Sequence, residues 1–437
     1  MGNMKNSDVE LIGMIPNDWS ICRIKDTCSI ARGGSPRPID EYLSDNKQDI
    51  SWIKIGDTIK GYKYIDKTEQ NIIPIGVSKS RKVNKGDLLL TNSMSFGQPY
   101  ILNIDGCIHD GWLVFSKYKN IDKLFLYYVL MSELCLIQFN TSAAGAVVEN
   151  LNIDKVGNAK ISVPNLQEQQ LIVNFLDNKI RMIDDILFEL NKQVDILEKY
   201  KKSLITKAVT KGLISDIQRK DSKVKWIGKI PQNWNIVRIL NVLSMPITDG
   251  PHTTPELYDD GIPFVSAEAV SCGNGRIDFN HIRGYISQEF YTECCKKYIP
   301  QKNDIYMIKS GATTGKVSIV DTDKIFTIWS PLAVFRCKEE KMIPRFMFYS
   351  LQADSFQKQV ENGWTYGTQQ NIGMRTLEHL KVCCPELNEQ QEIVNYLDKK
   401  CFQIDELIKD KQTQIEKMEK YKKSLIYEYV TGKKQTN

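Results

Sequence analysis

Eight residues occur twice in this chain, in the same order and far apart. The stretch Glu198-Lys199-Tyr200-Lys201-Lys202-Ser203-Leu204-Ile205 returns as Glu419-Lys420-Tyr421-Lys422-Lys423-Ser424-Leu425-Ile426. At the same offset, residues 164–210 and 385–431 agree at roughly half of their positions, far above what unrelated windows of this composition would share. Each copy begins with a proline and a Glu-Gln-Gln turn, at 168–170 and 389–391. A long duplicated segment therefore dominates the organisation of the chain.

A second repeated pair lies upstream of the first. Ile12-Gly13-Met14-Ile15-Pro16-Asn17-Asp18-Trp19 matches Ile227-Gly228-Lys229-Ile230-Pro231-Gln232-Asn233-Trp234. A chain of 437 residues is too long for one compact core, whereas two similar halves in tandem fit the usual size of domains. We therefore predict domains at residues 1–163 and 213–384, each followed by a helical segment, at 164–212 and 385–437.

The duplicated segments are predicted to be helices with a heptad seam, because their apolar residues alternate in steps of three and four. Lys201, Lys411 and Lys422 are the exceptions. Each seam requires an apolar partner, and the other copy supplies one, so we predict an antiparallel coiled coil on the order of 40 Å long. The alternative is that each helix only covers its own domain. The seam residues are Ile183, Leu187, Leu190, Val194, Leu197 and Leu204, and Ile404, Ile408, Ile415, Met418 and Leu425.

The domains are predicted to mix strands and helices. Alternating and short apolar runs indicate strands at 20–24, 50–55, 88–90 and 112–115, and apolar spacing indicates a helix over 123–140 with Ile137 in the core. Glycine and proline at 31–38 indicate a basic loop. Residues 226–384 repeat this plan with different loops, since 309–316 stands where 91–98 stands. The predicted fold class is therefore α+β, with two domains of one design.

Composition sets outer limits on function. Hydrophobic residues make up 42% and charged residues 25%, values typical of a soluble globular protein. No apolar run is long enough for a bilayer, and the N-terminus lacks the apolar core of a signal peptide, so we expect a cytoplasmic protein without membrane contact. The 11 cysteines include no Cys-x-x-Cys, which argues against a disulfide framework or a zinc site. A net charge of +5 permits nucleic-acid binding without requiring it.

Motifs for catalysis are weak. Gly311 to Val317 has three residues between its glycines where a phosphate-binding loop needs four, and Val317 stands where that loop needs a hydroxyl. Glu339 and Lys341 have a nuclease-like spacing, but they stand on an apparent surface turn. The four histidines form no metal-binding or catalytic pattern. We therefore predict no catalytic residue, no metal and no cofactor.

Polar and basic loops with interleaved aromatic residues remain as candidate sites. Their side chains supply the donors and acceptors that recognise base edges, and loops on a rigid scaffold present such groups well. For any single residue an ordinary solvated loop is the alternative, but the set favours nucleic acid. The candidate DNA-binding residues are Arg32, Ser35, Arg37, Ser93, Ser95 and Gln98 in the first domain, and His252, Thr253, Thr254, Lys309, Ser310, Thr313, Thr314, Lys316, Tyr366, Thr368, Gln369 and Gln370 in the second.

The duplicated motifs resemble the specificity subunits of type I restriction-modification systems, and the resemblance covers nearly the whole chain. It rests on the Ile-Pro-x-x-Trp openings, the Gln-x-Ile-Val turns followed by x-x-Leu-Asp, and the repeated octapeptide. The first turn is Gln170-Leu171-Ile172-Val173 and the second is Gln391-Glu392-Ile393-Val394, which is a small departure.

The resemblance implies two target recognition domains separated by two long helices that form an antiparallel coiled coil. It implies a non-catalytic subunit that recognises an asymmetric bipartite site in double-stranded DNA, one half per domain. It further implies docking of two methyltransferase subunits and, through them, of restriction endonuclease subunits, so cofactors would belong to the partners. We expect docking near Gln169, Gln170, Gln390 and Gln391.

Two alternatives remain open at the level of sequence. One is a stand-alone DNA-modifying or DNA-cleaving enzyme with its own recognition domains. The other is a protein-binding adaptor without DNA contact.

Overall fold

A computed structural model of the chain describes residues 3–59, 61–93, 96–141, 151–366 and 370–435, without the side chains of residues 365 and 366. The chain forms two compact units. The first unit comprises Met1–Leu190 and Thr413–Asn437, and the second comprises Asn191–Gln412. Each unit therefore combines one predicted recognition domain with a part of each long helix.

The first unit contains a mixed set of short strands and helices. Its strands are β1 Met4–Asn6, β2 Met14–Pro16, β3 Ser20–Arg23, β4 Ser29–Arg32, β5 Leu43–Ser44, β6 Ile50–Ile53, β7 Tyr64–Ile65, β8 Gln70–Ile72, β9 Arg81–Val83, β10 Leu88–Thr91, β11 Pro99–Leu102, β12 Gly106–Ile108, β13 Trp112–Ser116 and β14 Lys160–Val163. Its helices are α1 Ile24–Thr27, α2 Pro74–Val77, α3 Lys123–Met131, α4 Glu133–Thr141, α5 Ile153–Asn158 and the beginning of α6 Leu166–Lys211.

Two five-stranded sheets form the strand layers of the first unit, in the orders β4-β13-β10-β11-β7 and β5-β8-β6-β12-β9. Strand β10 lies between two cores, and its successive side chains point alternately into one and the other. Leu88 and Leu90 pack into a core shared with helices α3 and α6, whereas Leu89 packs with Trp112 into a core shared with the second sheet. This burial explains why the central strands are continuous apolar runs in the sequence.

Two sequence-based expectations for the first unit are wrong. The helix predicted over 123–140 is broken at Ser132, whose backbone is extended, so that α3 and α4 are separate and Ile137 is exposed. The Ser132 hydroxyl donates to the Val129 carbonyl at 2.5 Å, which satisfies one of the free carbonyl groups at the end of α3. The loop predicted at 31–38 begins only after Arg32, because Ala31 and Arg32 pair with β13.

The second unit repeats this construction. Its strands are β15 Arg219–Asp221, β16 Lys229–Pro231, β17 Asn235–Arg238, β18 Thr248–Asp249, β19 Ile262–Val265, β20 Tyr285–Ile286, β21 Ile305–Ile308, β22 Val317–Ile319, β23 Thr327–Ile328, β24 Leu332–Phe335, β25 Thr365–Tyr366, β26 Gln370–Asn371 and β27 Lys381–Cys384. Its helices are α7 Ala267–Cys272, α8 Gln288–Cys295, α9 Pro344–Gln352, α10 Asp354–Asn362, α11 Met374–His379 and the beginning of α12 Leu387–Val430, together with the end of α6.

The sheet order β18-β24-β21-β22 of the second unit corresponds to β4-β13-β10-β11 of the first. The two faces of β21 again supply two cores. Ile305 and Met307 pack with the helices, while Tyr306 and Ile308 pack with the neighbouring β20-β19-β23 sheet. The common scaffold predicted from the repeat is thus confirmed.

The long helices α6 and α12 form an antiparallel pair. In the first unit, the ring centroids of Phe175 and Tyr429 lie 4.5 Å apart. Further along both helices, Lys422 Nζ lies 2.5 Å from Asp184 Oδ1. In the second unit, Lys201 Nζ lies 2.6 Å from Asp405 Oδ1. The predicted seam residues are buried or half-buried on both helices.

The lysines that interrupt the seam are part of the pairing. The side chains of Lys201 and Lys422 are only 19% and 12% exposed, and each binds an aspartate of the opposite helix. The two ion pairs are equivalent by the repeat, since Lys201 matches Lys422 and Asp184 matches Asp405. A half-buried ion pair at one point of a seam favours one register over its neighbours.

The Leu-Asp motif attaches the start of each long helix to its domain. Asp177 of α6 accepts hydrogen bonds from Lys63, at 2.6 Å, and from Tyr128. Asp398 of α12 accepts from Arg345 at 2.8 Å and from Tyr349 at 2.5 Å. The carboxylate and the tyrosine recur in both units, while the cation comes from a different element in each.

The Ile-Pro-x-x-Trp motif receives the end of the other copy's helix. Gly212 follows α6 and lies against Trp234, and Gly432 lies just beyond α12 against Pro16 and Trp19. Both glycines have positive φ, +72° and +70°, as is usual just beyond a helix. The two repeated motifs of the sequence therefore meet in space within each unit.

Candidate nucleic-acid interface

In the first unit, Asp110 brings three predicted DNA-binding residues together. Ser35 Oγ donates to Asp110 Oδ1 at 2.9 Å, and Arg32 Nε donates to the Asp110 carbonyl at 2.8 Å. Arg37 Nη2 lies 3.8 Å from Asp110 Oδ2, and its side chain is 85% exposed. We call these four residues the Asp110 cluster. It presents an exposed guanidinium on a loop that Ser35 attaches to Asp110.

The carboxyl group of Asp110 is held in its charged form. Burial alone would raise its pKa, but the hydrogen bonds from Ser35 and a backbone N–H, together with the charge of Arg32, lower the pKa below its usual value. The ionised carboxylate of Asp110 accepts from Ser35 and attracts Arg37, whereas the bond from Arg32 goes to the backbone carbonyl of Asp110.

Gly33 allows the backbone of this loop to pass close to the backbone of His109. A Cβ atom on Gly33 would lie 2.0 Å from the His109 carbonyl oxygen, and one on Gly250 would lie 1.9 Å from that of Ile328. Both contacts are impossible for any residue with a side chain. In both units, therefore, a glycine allows the same close backbone contact at the start of a loop, although the two loops differ in sequence.

The remaining predicted residues of the first unit contribute less. Gln98 pairs through its backbone with Thr91, and its side chain is half-buried, as is that of Ser93. Ser95 lies outside the described residues. Gln98 and Ser93 are therefore not part of the Asp110 cluster.

In the second unit, the predicted loops converge at the end of β18. Asp249 is 1% exposed, and His252 Nε2 and Lys309 Nζ lie 3.2 Å and 3.4 Å from its Oδ2. Lys297 Nζ lies 2.5 Å from its Oδ1. We call these residues the Asp249 cluster. Asp249 falls within the candidate polar loop at 248–254 of the sequence but is not among the predicted DNA-binding residues. Lys297 was not predicted, because a lysine after a helix follows no recognisable motif.

The turn at 309–316 is tied to a third loop. Gly311 N donates to the Gln370 carbonyl at 3.0 Å, and Ile372 N donates to the Lys309 carbonyl at 2.9 Å. Thr314 uses its hydroxyl to close the turn, donating to the Gly311 carbonyl at 2.7 Å. Lys316 and Gln370 are exposed.

The other candidates of the second unit differ in exposure. Thr253 and Thr254 are exposed, whereas Ser310 and Thr313 are half-buried. The backbone of Tyr366 pairs with that of Gln370 in the β25–β26 hairpin. Thr368 and Gln369 lie outside the described residues.

An arginine–tryptophan pair, not predicted from sequence, lies on the adjoining strand end. The guanidinium of Arg283 stacks 3.8 Å from the centroid of Trp329, which follows β23 as His109 follows β12. Arginine stacked on an aromatic ring is a common element of nucleic-acid contacts, but also of ordinary protein surfaces.

Two of the four glutamines predicted to dock partners are structural. Gln169 and Gln390 are completely buried. Gln169 accepts from Asp122 N at 2.6 Å and donates to the Asn120 and Pro164 carbonyls, and Gln390 makes the equivalent bonds to Ile343, Lys341 and Pro385. The docking expectation for these two is corrected: they have no surface for a partner. Gln170 and Gln391 are exposed, and docking there stays a prediction.

In the part of the chain that the structure describes, no group of three His, Cys, Asp or Glu side chains is placed to hold a metal ion. Likewise, within the described residues, no single helix has the length and apolarity to cross a bilayer. The bent pair α3 and α4, at 62°, meets those criteria only when both helices are taken together.

Fold and loops define a duplicated α+β protein that presents two different loop clusters on one scaffold. The chain belongs to the Type I restriction modification DNA specificity domain family, which it matches over residues 16–196 and 231–417.

Known relatives extend over almost the whole chain. The type I restriction enzyme MjaVIII specificity subunit of Methanocaldococcus jannaschii is 26% identical over 425 residues, covering 96% of this chain and 93% of the relative. A putative MjaX specificity subunit of the same organism is 28% identical over 439 residues, covering 97% and 95%. A chain from a structural study of complex assembly and conformational transition in the type I R-M system superposes with a TM-score of 0.68 at 16% identity, covering 95% of this chain and 98% of the other. This last likeness concerns the fold.

Proposed function

We propose that this chain is a non-catalytic specificity subunit that recognises an asymmetric bipartite site in double-stranded DNA, one half per unit. The supporting observation is the combination of an equal scaffold with unequal loop clusters. In the first unit Arg32, Ser35 and Arg37 surround Asp110, whereas in the second His252, Lys297 and Lys309 surround Asp249. Different donors on the loops of a common scaffold suit different base sequences.

The partners in this proposal are two methyltransferase subunits and, through them, restriction endonuclease subunits. Family membership supports this assembly, and the exposed Gln170 and Gln391 are the candidate docking positions. Chemistry on DNA would then belong to those partners.

Selection from a library of random duplexes tests the proposal. The purified full-length chain is expected to enrich two short sequence blocks separated by a fixed length of unselected base pairs. Binding should weaken steeply with salt, because phosphate contacts release counterions. Binding of all duplexes without enrichment of any sequence would contradict the proposal. Cleavage or methylation of DNA by the chain alone would also contradict it.

A further inference from the structure

Asp249 is a buried carboxylate surrounded by cationic groups. Its side chain is 1% exposed, with Lys297 at one oxygen and His252 and Lys309 at the other. The contacts at Oδ2 are ion pairs at 3.2 Å and 3.4 Å without a hydrogen bond. Burying a charge is costly unless it is paired, so these cations are drawn towards one point.

The carboxylate is fixed more firmly than the cations. Asp249 ends β18 and pairs with Ala333 of β24, and the following Gly250 crosses the sheet against Ile328. Lys309 follows β21, Lys297 follows α8, and His252 lies on the loop after Gly250. One rigid anion therefore connects three separate elements, two of which carry predicted DNA-binding residues.

The cations outnumber the anion. Lys297 and Lys309 together carry two positive charges against the one negative charge of Asp249, even with His252 neutral. Lys309 is 13% exposed, whereas Lys297 and His252 are 50% and 73% exposed. The cluster thus presents surplus positive charge at the surface from a buried anchor, as suits contact with a phosphate backbone.

We propose that Lys297 and His252 contact the duplex in the second unit and that Asp249 is the positioning residue that holds them and Lys309 for recognition of one half-site. The inference rests on the proposed function. In the first unit we assign the positioning role to Asp110, which follows β12 and whose carboxylate contacts Ser35 and Arg37. Each half-site then depends on its own aspartate.

Selection from random duplexes with matched variants tests this assignment. Asp249→Asn removes the charge but keeps the shape, and Asp110→Asn does the same in the first unit. The full-length Asp249→Asn protein is expected to lose enrichment of one sequence block and to keep the other, and Asp110→Asn is expected to do the reverse. A general loss of folding would not produce opposite half-site losses, and equal melting temperatures would exclude it directly.

The outcomes separate the inference from the proposed function. If the wild-type chain enriches no sequence block, both the proposed function and this inference are contradicted. Two enriched blocks in the wild type that persist unchanged in Asp249→Asn, or that disappear together in it, overturn the inference alone.

A milder variant tests Lys297 without removing the anchor. Lys297→Gln leaves Asp249 paired with Lys309 and His252, so the fold is retained. The slope of log affinity against log salt concentration is negative, and its magnitude is expected to decrease by about 0.9 for one lost phosphate contact. Lys296→Gln is the control, because Lys296 pairs with Glu293 at 2.5 Å and not with Asp249. An unchanged slope in Lys297→Gln, or an equal decrease in Lys296→Gln, would contradict the role of Lys297.

Discussion

His109 shows how burial determines the behaviour of a single residue. It lies between Trp52 and Trp112, and its ring nitrogens lie 3.2 Å from Ile55 N and 2.8 Å from Gly111 N. Burial is the largest cause of a lowered pKa for His109, and the neighbouring Asp110 only partly offsets it. The ring therefore stays neutral in the folded protein at a pH where the unfolded chain takes up a proton.

This difference predicts a pH dependence of stability. Below the unfolded pKa of about 6.5 the unfolded state binds more protons, so the free energy of unfolding should decrease as pH falls from 7 to 5, by at most about 1.4 kcal/mol per pH unit from this residue. Thermal melts across that range are expected to show a shallower slope for His109→Gln than for the wild type. His379→Gln, at an exposed position, serves as control, and equal slopes for His109→Gln and wild type would contradict the prediction.

At the scale of elements, each long helix is held at its first turn by a buried glutamine. Gln169 and Gln390 are equivalent by the repeat and make equivalent bonds to backbone groups of their own domains. The glutamine amide donates to two carbonyls and accepts from one N–H, which no carboxylate can do. The Glu-Gln-Gln turn is thus partly a structural junction.

Substitution of this glutamine should be costly. In Gln169→Glu or Gln390→Glu, a carboxyl group would face two carbonyl oxygens inside the protein, and we expect a loss of at least about 2 kcal/mol in the free energy of unfolding. Gln170→Glu and Gln391→Glu, one residue further, should change it by less than about 0.5 kcal/mol. Chemical denaturation measures both, and equal effects at neighbouring positions would be inconsistent with this role.

The ion pairs between α6 and α12 should be coupled. Lys201→Asp places two carboxylates together at the seam, and the double variant with Asp405→Lys restores opposite charges. A double-mutant cycle in denaturant is expected to give a coupling of about 1–3 kcal/mol. The exposed pair Lys199 and Asp195, on α6 alone, provides the comparison, with a coupling of roughly 0.5 kcal/mol or less. A seam coupling no larger than this comparison would argue against a role in register.

At the scale of the whole molecule, α6 of the first half contains equivalents of the α12 residues that pack against it. Asp184 and Lys201 both lie on α6, as do the counterparts of the α12 residues that pack in the first unit. A second copy of residues 1–212 can therefore replace α12, with Lys201 of each copy binding Asp184 of the other. Exposed apolar seams favour such pairing.

A fragment of residues 1–212 is accordingly expected to form a symmetric dimer that recognises one half-site repeated as a palindrome. Light scattering after size-exclusion chromatography should give twice the mass of the fragment. Asp184→Lys should shift it towards monomer, because Lys201 of the other copy would then face a lysine. A wild-type fragment that stays monomeric, or that binds duplexes without sequence preference, would contradict the expectation.

The sequence predicted the scaffold well because repeats and periodicity are local properties. The seam from Ile183 to Leu204, its second copy from Ile404 to Leu425 and the strand at Leu88 to Leu90 were predicted from apolar spacing. Predictions failed where two helices meet at one extended residue, as at Ser132, an arrangement that recurs at Ala353 between α9 and α10. They also failed where one residue type serves two roles, as at Gln169 and Gln170. Neither feature changes the pattern of hydrophobic residues, so the pattern could not predict it.

By itself, the sequence determined that this protein is a tandem of two α+β halves with two equal helices, since duplication and heptad spacing are visible in one dimension. Only the tertiary structure decided what the loops and polar residues do. Lys201 becomes a seam ion pair, Gln390 a buried junction and Asp249 a common anchor for Lys297 and Lys309 because residues distant in the chain supply their partners. Such pairings depend on long-range contacts and burial, which no local pattern of residues specifies.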